Sequence, residues 1–193
     1  NALAVCCRIG LADDPRVGQL AESLVEWQWP DGGWNCDRRA TGYRSSFHES
    51  LAPAWGLHEY SVAAGAEWAA EAAARTAELF LEHRVFKSLR SDEPISAAWL
   101  ALHYPPYWHY DVLQALLVLS RLDKLPDPRA DEAIGLLLER RRPDGLWAPG
   151  GYWWRRPGSK TAVEAVDWGR RGPNEMITLN ALRVLRAAGR PGQ

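Results

Sequence analysis

Apolar residues along this chain recur at the three- and four-residue spacing of helices, in segments separated by short clusters of Gly, Pro and Asp. Val112, Leu113, Ala115, Leu116, Leu117 and Leu119 form a stretch that is apolar nearly all round, which predicts a helix buried on most sides. Lys124 to Pro126 interrupt it. Asp127 and Pro128 then open a second helix, predicted over 129–142, with Asp as N-cap and Pro at the tolerated first position. Its Ala133, Leu136, Leu137 and Arg140 stand at helical spacing, and its basic end suits the negative pole of the helix dipole. One buried inner helix and one half-exposed outer helix make a unit.

The unit is repeated. Asn1–Trp34 lies over Gln114–Trp147 without a gap, a shift of 113 residues. Arg8 meets Arg121, Asp14-Pro15-Arg16 meets Asp127-Pro128-Arg129, Leu24 meets Leu137, and Glu26 meets Glu139. Pro30-Asp31-Gly32 and Trp34 meet Pro143-Asp144-Gly145 and Trp147. A third copy starts at Asn180, where NALRVLRAAG lies over NALAVCCRIG. Such periodicity is the mark of a repeat architecture. Between the copies, 46–64 reads as an inner helix opened by a Ser46–Glu49 capping box, and 67–82 as an Ala-rich outer helix. The inner helices align on Leu51, Leu113 and Leu179. On that register Asn1 falls about one turn inside a helix, so the chain is expected to lack N-terminal hairpins. Gly189-Arg190-Pro191-Gly192 is expected to stop the last helix. The expectation is one all-α domain over 1–193.

The turns are costly in composition. Gln28-Trp29-Pro30-Asp31-Gly32-Gly33-Trp34 follows the pattern Gln-x-x-Asp-Gly-x-Trp, and Arg141-Arg142-Pro143-Asp144-Gly145-Leu146-Trp147 repeats it with Arg for Gln. Pro and Gly force the chain out of the outer helix, and each Trp can cover a seam between hairpins. These turns resemble the QW repeats of squalene and oxidosqualene cyclases, and the Gly-Gly-aromatic turns of protein prenyltransferase β subunits. The resemblance implies an α/α toroid, here a partial ring of inner and outer helices. It also implies Trp turns on the outside of the ring, away from chemistry, and a cavity for a hydrophobic isoprenoid-type ligand. An incomplete ring needs missing hairpins or a second copy to cover its end helices.

Composition narrows the rest. A net charge of −1 with 47% hydrophobic residues excludes the basic surface of a nucleic-acid binder. Cys6, Cys7 and Cys36 form no CxxC pair and no even framework, so a reducing, cytoplasmic compartment is expected. Val112 to Leu119, the longest apolar run, is too short to cross a bilayer.

Candidate chemistry is sparse. The chain has neither the Asp-x-Asp-Asp of protonating cyclases nor an Asp-Asp-x-x-Asp cluster for Mg²⁺, and Asp13-Asp14 reads as a helix cap. The prenyltransferase resemblance carries a zinc His onto His48 and a zinc Asp onto Asp111, but places Leu113 where the Cys belongs and reverses the order of the segments. No cofactor is therefore expected, zinc included. In the repeat register Asp111 and Glu49 stand two residues before the aligned Leu, about 200° round the helix from it. With that Leu facing the outer helix, Asp111, Glu49 and His48 become candidate catalytic groups in the cavity. Trp108, His109, Tyr110 and Trp55 become its aromatic lining, suited to a carbocation or other cationic centre. The alternative assigns Asp111 to Gln114, and Ser46 to Glu49, as capping pairs. Arg155 and Arg156, in the long connection between Gly150 and Gly172, are candidates for an anionic head group such as diphosphate. A non-catalytic toroid used as a binding or scaffold module is the rival from another class.

Overall fold

The computed structural model describes residues 1–37, 42, 44–151 and 172–190. Among them are seven α-helices and no β-strand, only isolated bridges between Trp34 and Ser46 and between Lys87 and Pro94. The chain divides into two compact units, Asn1–Leu81 and Glu82–Gln193.

In the first unit α1 (Ala2–Arg8) packs against α3 (Phe47–Ala64), and α2 (Pro15–Glu26) lies against both. α4 (Glu67–Glu82) is held to α3 by Phe47 against Phe80 and Tyr60 against Trp68. α2 and α3 start and stop where their chemistry dictates. Asp14 caps α2 by accepting from the Arg16 amide, and Pro15 occupies the first turn. Ser46 caps α3, which ends at Gly65 with φ of 66°, a left-handed stop that Gly adopts without strain. Close packing on α1 needs Gly56, where a Cβ would sit 3.1 Å from that of Leu3.

The second unit repeats the plan. α5 (Val112–Arg121) packs on α7 (Glu175–Ala187) and on α6 (Asp131–Glu139). The helix expected over 129–142 divides: Asp127 caps a 3-10 turn, Pro128–Ala130, and α6 runs only to Glu139. Its buried side carries Ala133, Ile134 and Leu137; Arg140 is exposed, and Leu136 is half-buried. α7 stops at Ala188, followed by Gly189 with φ of 72°, and the Arg190 amide donates back to the Leu185 carbonyl. A 3-10 helix, Ala97–Leu100, which the apolar pattern does not predict, is capped by Ser96.

No described helix is long and apolar enough to cross a membrane.

Candidate functional site

The two Trp turns share their backbone and indole bonds. In the first, Trp29 N–H donates to Gly33 and Gly32 N–H to Trp29; in the second, Arg142 N–H donates to Leu146 and Gly145 N–H to Arg142. The indole Nε1 of Trp34 donates to the Leu24 carbonyl at 2.8 Å, and that of Trp147 to the Leu137 carbonyl at 2.7 Å. Both carbonyls belong to the last turn of an outer helix, where no intrahelical N–H remains to satisfy them. The Trp backbone then reaches forward. Trp34 N–H donates to Ser50 Oγ and Trp147 N–H to Thr178 Oγ1, hydroxyls at the same register position of the next inner helix. Their carbonyls accept from the cap residues Ser46 and Asn174. Each Trp thus ties an outer helix to the following inner helix while buried itself.

Residue identity at the head of the turn matters less than its reach. Gln28 Nε2 donates to Gly32 O and to Ala72 O on α4, while its Oε1 accepts from Arg75. Arg141, its counterpart, makes the equivalent bond to Gly145 O at 3.1 Å and lays its guanidinium over Trp147. The turn aspartates differ. Asp31 accepts from the amide and hydroxyl of Ser45, whereas Asp144 closes on its own turn through Leu146 and Arg142.

Asp111 is completely buried at the N-cap of α5. Its Oδ1 accepts from the Gln114 amide at 2.9 Å, and its Oδ2 accepts from the His103 amide and lies 3.1 Å from His103 Nδ1. Burial pushes its carboxyl above the ordinary carboxylate range, against the pull of His103 and the capping bond. The capping bond to Gln114 is present, and the carboxylate is fully buried between that cap and His103. His103, itself buried, is the partner that sequence reasoning missed. It lies eight residues upstream in a proline-bearing loop, and nothing in helical periodicity marks it.

The neighbouring aromatics divide. Tyr110 is buried beneath Trp99, and its hydroxyl donates to the Val85 carbonyl. Burial, then Asp111, raises its pKa well above the usual phenol value. Trp108 is 64% exposed and stacks on His109, whose imidazole burial holds below its ordinary pKa. So Tyr110 belongs to the core rather than to a lining, while Trp108 and His109 reach the surface.

In the first unit Glu49 departs from the capping box. Ser46 Oγ does accept from the Glu49 amide, at 3.4 Å, but the Glu49 carboxylate accepts from the Cys36 amide at 2.8 Å. The loop returning from the Trp turn supplies a nearer donor than the helix cap. That places Glu49 on an open cleft of about 1300 Å³ beside Trp27, Trp29, Asn35 and Cys36. His48 is half-buried on the first turn of α3. Trp55 donates its indole N–H to Glu59, which also accepts from Arg8, and Arg8 lies 5.6 Å over the Trp55 ring. Burial works against the Glu59 carboxylate, yet these two donors leave its pKa below the ordinary value.

Arg155 and Arg156 lie outside the described residues. Among the described residues no three His, Cys, Asp or Glu side chains converge as a metal would require, and Cys6, Cys7 and Cys36 are free thiols. Comparison with protein-family models, with curated proteins and with solved structures returns no match for this chain.

Proposed function

We propose that these hairpins are part of an α/α toroid of the kind that squalene cyclases and protein prenyltransferase β subunits build, and that its interior binds a hydrophobic, isoprenoid-type ligand. The reading is carried by the twice-repeated Trp clamp, in which an indole caps an outer helix while its backbone holds the next inner helix. Hairpins joined this way stack in one layer order, inner beside inner. Half-buried Trp55 in the first unit and exposed Trp108 in the second are aromatic groups that each unit offers by itself.

Binding, not turnover, is the activity proposed. Asp111 and Glu49 both hold backbone amides, Asp111 those of Gln114 and His103 and Glu49 that of Cys36, so both carboxylates already serve the fold. That same observation favours a second reading, a toroid that serves as a scaffold without a small-molecule ligand. Native mass spectrometry and Trp fluorescence titration with squalene and with a prenyl diphosphate separate the two. Saturable binding abolished by Trp55→Ala or Trp108→Ala supports the ligand reading. No binding of either compound by the folded chain leaves the scaffold.

A further inference from the structure

The Trp turn of the first unit carries more tryptophan than its clamp uses. Trp34 makes the clamp, through its indole to Leu24 and its amide to Ser50. Trp27 and Trp29 enter the turn by their backbone: Trp27 N–H donates to the Ser23 carbonyl and Trp29 N–H to that of Gly33. Across the 113-residue shift their counterparts are Arg140 and Arg142, which donate in the same way to Leu136 and Leu146. The turn therefore forms equally with Arg at both places, and its geometry does not account for two indoles there.

Both residues line the open cleft of about 1300 Å³. Glu26, Asp31, Asp37 and Glu49 line it as well, and among the described residues no Lys, Arg or His does. A cleft walled by one sign of charge concentrates ions of the other. Two of these carboxylates already serve the fold, Glu49 holding the Cys36 amide and Asp31 the amide and hydroxyl of Ser45. They supply negative potential more than open acceptor positions. A cation with alkyl groups in place of N–H donors fits such walls, because its alkyl groups rest on indole faces whose quadrupole attracts its charge.

We propose that this cleft binds a small organic cation bearing an alkylated ammonium group, held by the indoles of Trp27 and Trp29 and drawn in by the carboxylates around them. Glu26, exposed at the end of α2, makes no ion pair with the described residues and is the charge nearest in sequence to both indoles. The site lies wholly within the first unit, and neither Trp55 nor Trp108 is among its walls. It is therefore independent of the isoprenoid-type ligand proposed above.

The test titrates the 193-residue chain with choline, and with the uncharged isostere in which carbon replaces the ammonium nitrogen, following indole N–H signals by NMR. Choline is expected to saturate with a Kd of about 1–10 mM, and the isostere to bind about fivefold or more weakly. Trp27→Arg and Trp29→Arg, which give the first turn the residues of the second, leave helix content by circular dichroism unchanged and weaken choline binding about fivefold or more. Trp27→Ala, at a position 61% exposed, weakens it about two- to fivefold without adding charge. Glu26→Gln weakens it about twofold, and Trp108→Ala leaves it unchanged. Co-sedimentation with phosphatidylcholine vesicles assigns the cation to a lipid headgroup, whereas a chain left in the supernatant assigns it to a free molecule. No indole signal moved by choline up to about 50 mM, an isostere that binds as well as choline, or a folded Trp27→Ala chain that binds as the wild type does would each overturn the proposal.

Discussion

Replacing Trp147 with Phe isolates what its indole N–H does. The side chain is completely buried, and its Nε1 satisfies the Leu137 carbonyl in the last turn of α6. Phe keeps most of the apolar ring but orphans that carbonyl, which costs about 1–3 kcal/mol. The smaller ring leaves a gap beside Leu137 worth roughly a further 1 kcal/mol. The expected loss is therefore about 2–4 kcal/mol, approaching the ~3–5 kcal/mol of Trp147→Ala. Trp27→Ala is the control, because Trp27 is 61% exposed and should change stability by no more than about 0.5 kcal/mol. Urea unfolding followed by far-UV circular dichroism gives the stabilities, and hydrogen exchange resolved to α6 and α7 shows where protection is lost. A Trp147→Phe protein as stable as the wild type, or a Trp27→Ala protein equally destabilised, would refute the clamp.

Gly32→Ala should be far worse than Gly145→Ala: both have φ near 90°, but a Cβ at Gly32 meets the Arg75 carbonyl at 2.6 Å, whereas at Gly145 it meets only the movable Arg141 guanidinium at 3.3 Å. Losses of more than about 2 and about 1 kcal/mol are expected in thermal or urea unfolding. Thr178→Val, which keeps shape but removes the hydroxyl facing Trp147 N–H, should cost about 1–3 kcal/mol, with Thr178→Ser restoring most of it in the same assay. For Asp111 the sign follows from a folded pKa raised above the unfolded one. Its titration contributes stability that is fully present below the ordinary carboxylate value and is lost as pH rises through the raised value. Measured against Asp111→Asn, which keeps a capping oxygen, the wild type should lose relative stability over that interval, and a pH-independent difference would contradict the burial argument.

Helix positions and turn identities were legible because they depend on neighbours in sequence. Asp14 and Asp127 cap the amides two residues on, and Gly32 and Gly145 supply the positive φ that their turns require. The repeat carried further than composition could. The register set by Leu51 and Leu179 puts Ser50 and Thr178 at one position, and there each hydroxyl accepts from the amide of its own Trp. The candidate acids were legible only as alternatives, since the same Asp-x-x-Gln spacing serves a cap or a cavity wall.

By itself, then, the chain determined an all-α repeat: local caps, turn residues and 3.6-residue periodicity act over a few residues and tolerate little ambiguity. What only tertiary structure decided were the partners of its polar groups. Glu49 turned to Cys36 and Asp111 closed on His103 because a buried or half-buried carboxylate takes the donors that folding brings near, and those come from loops whose path no local rule encodes.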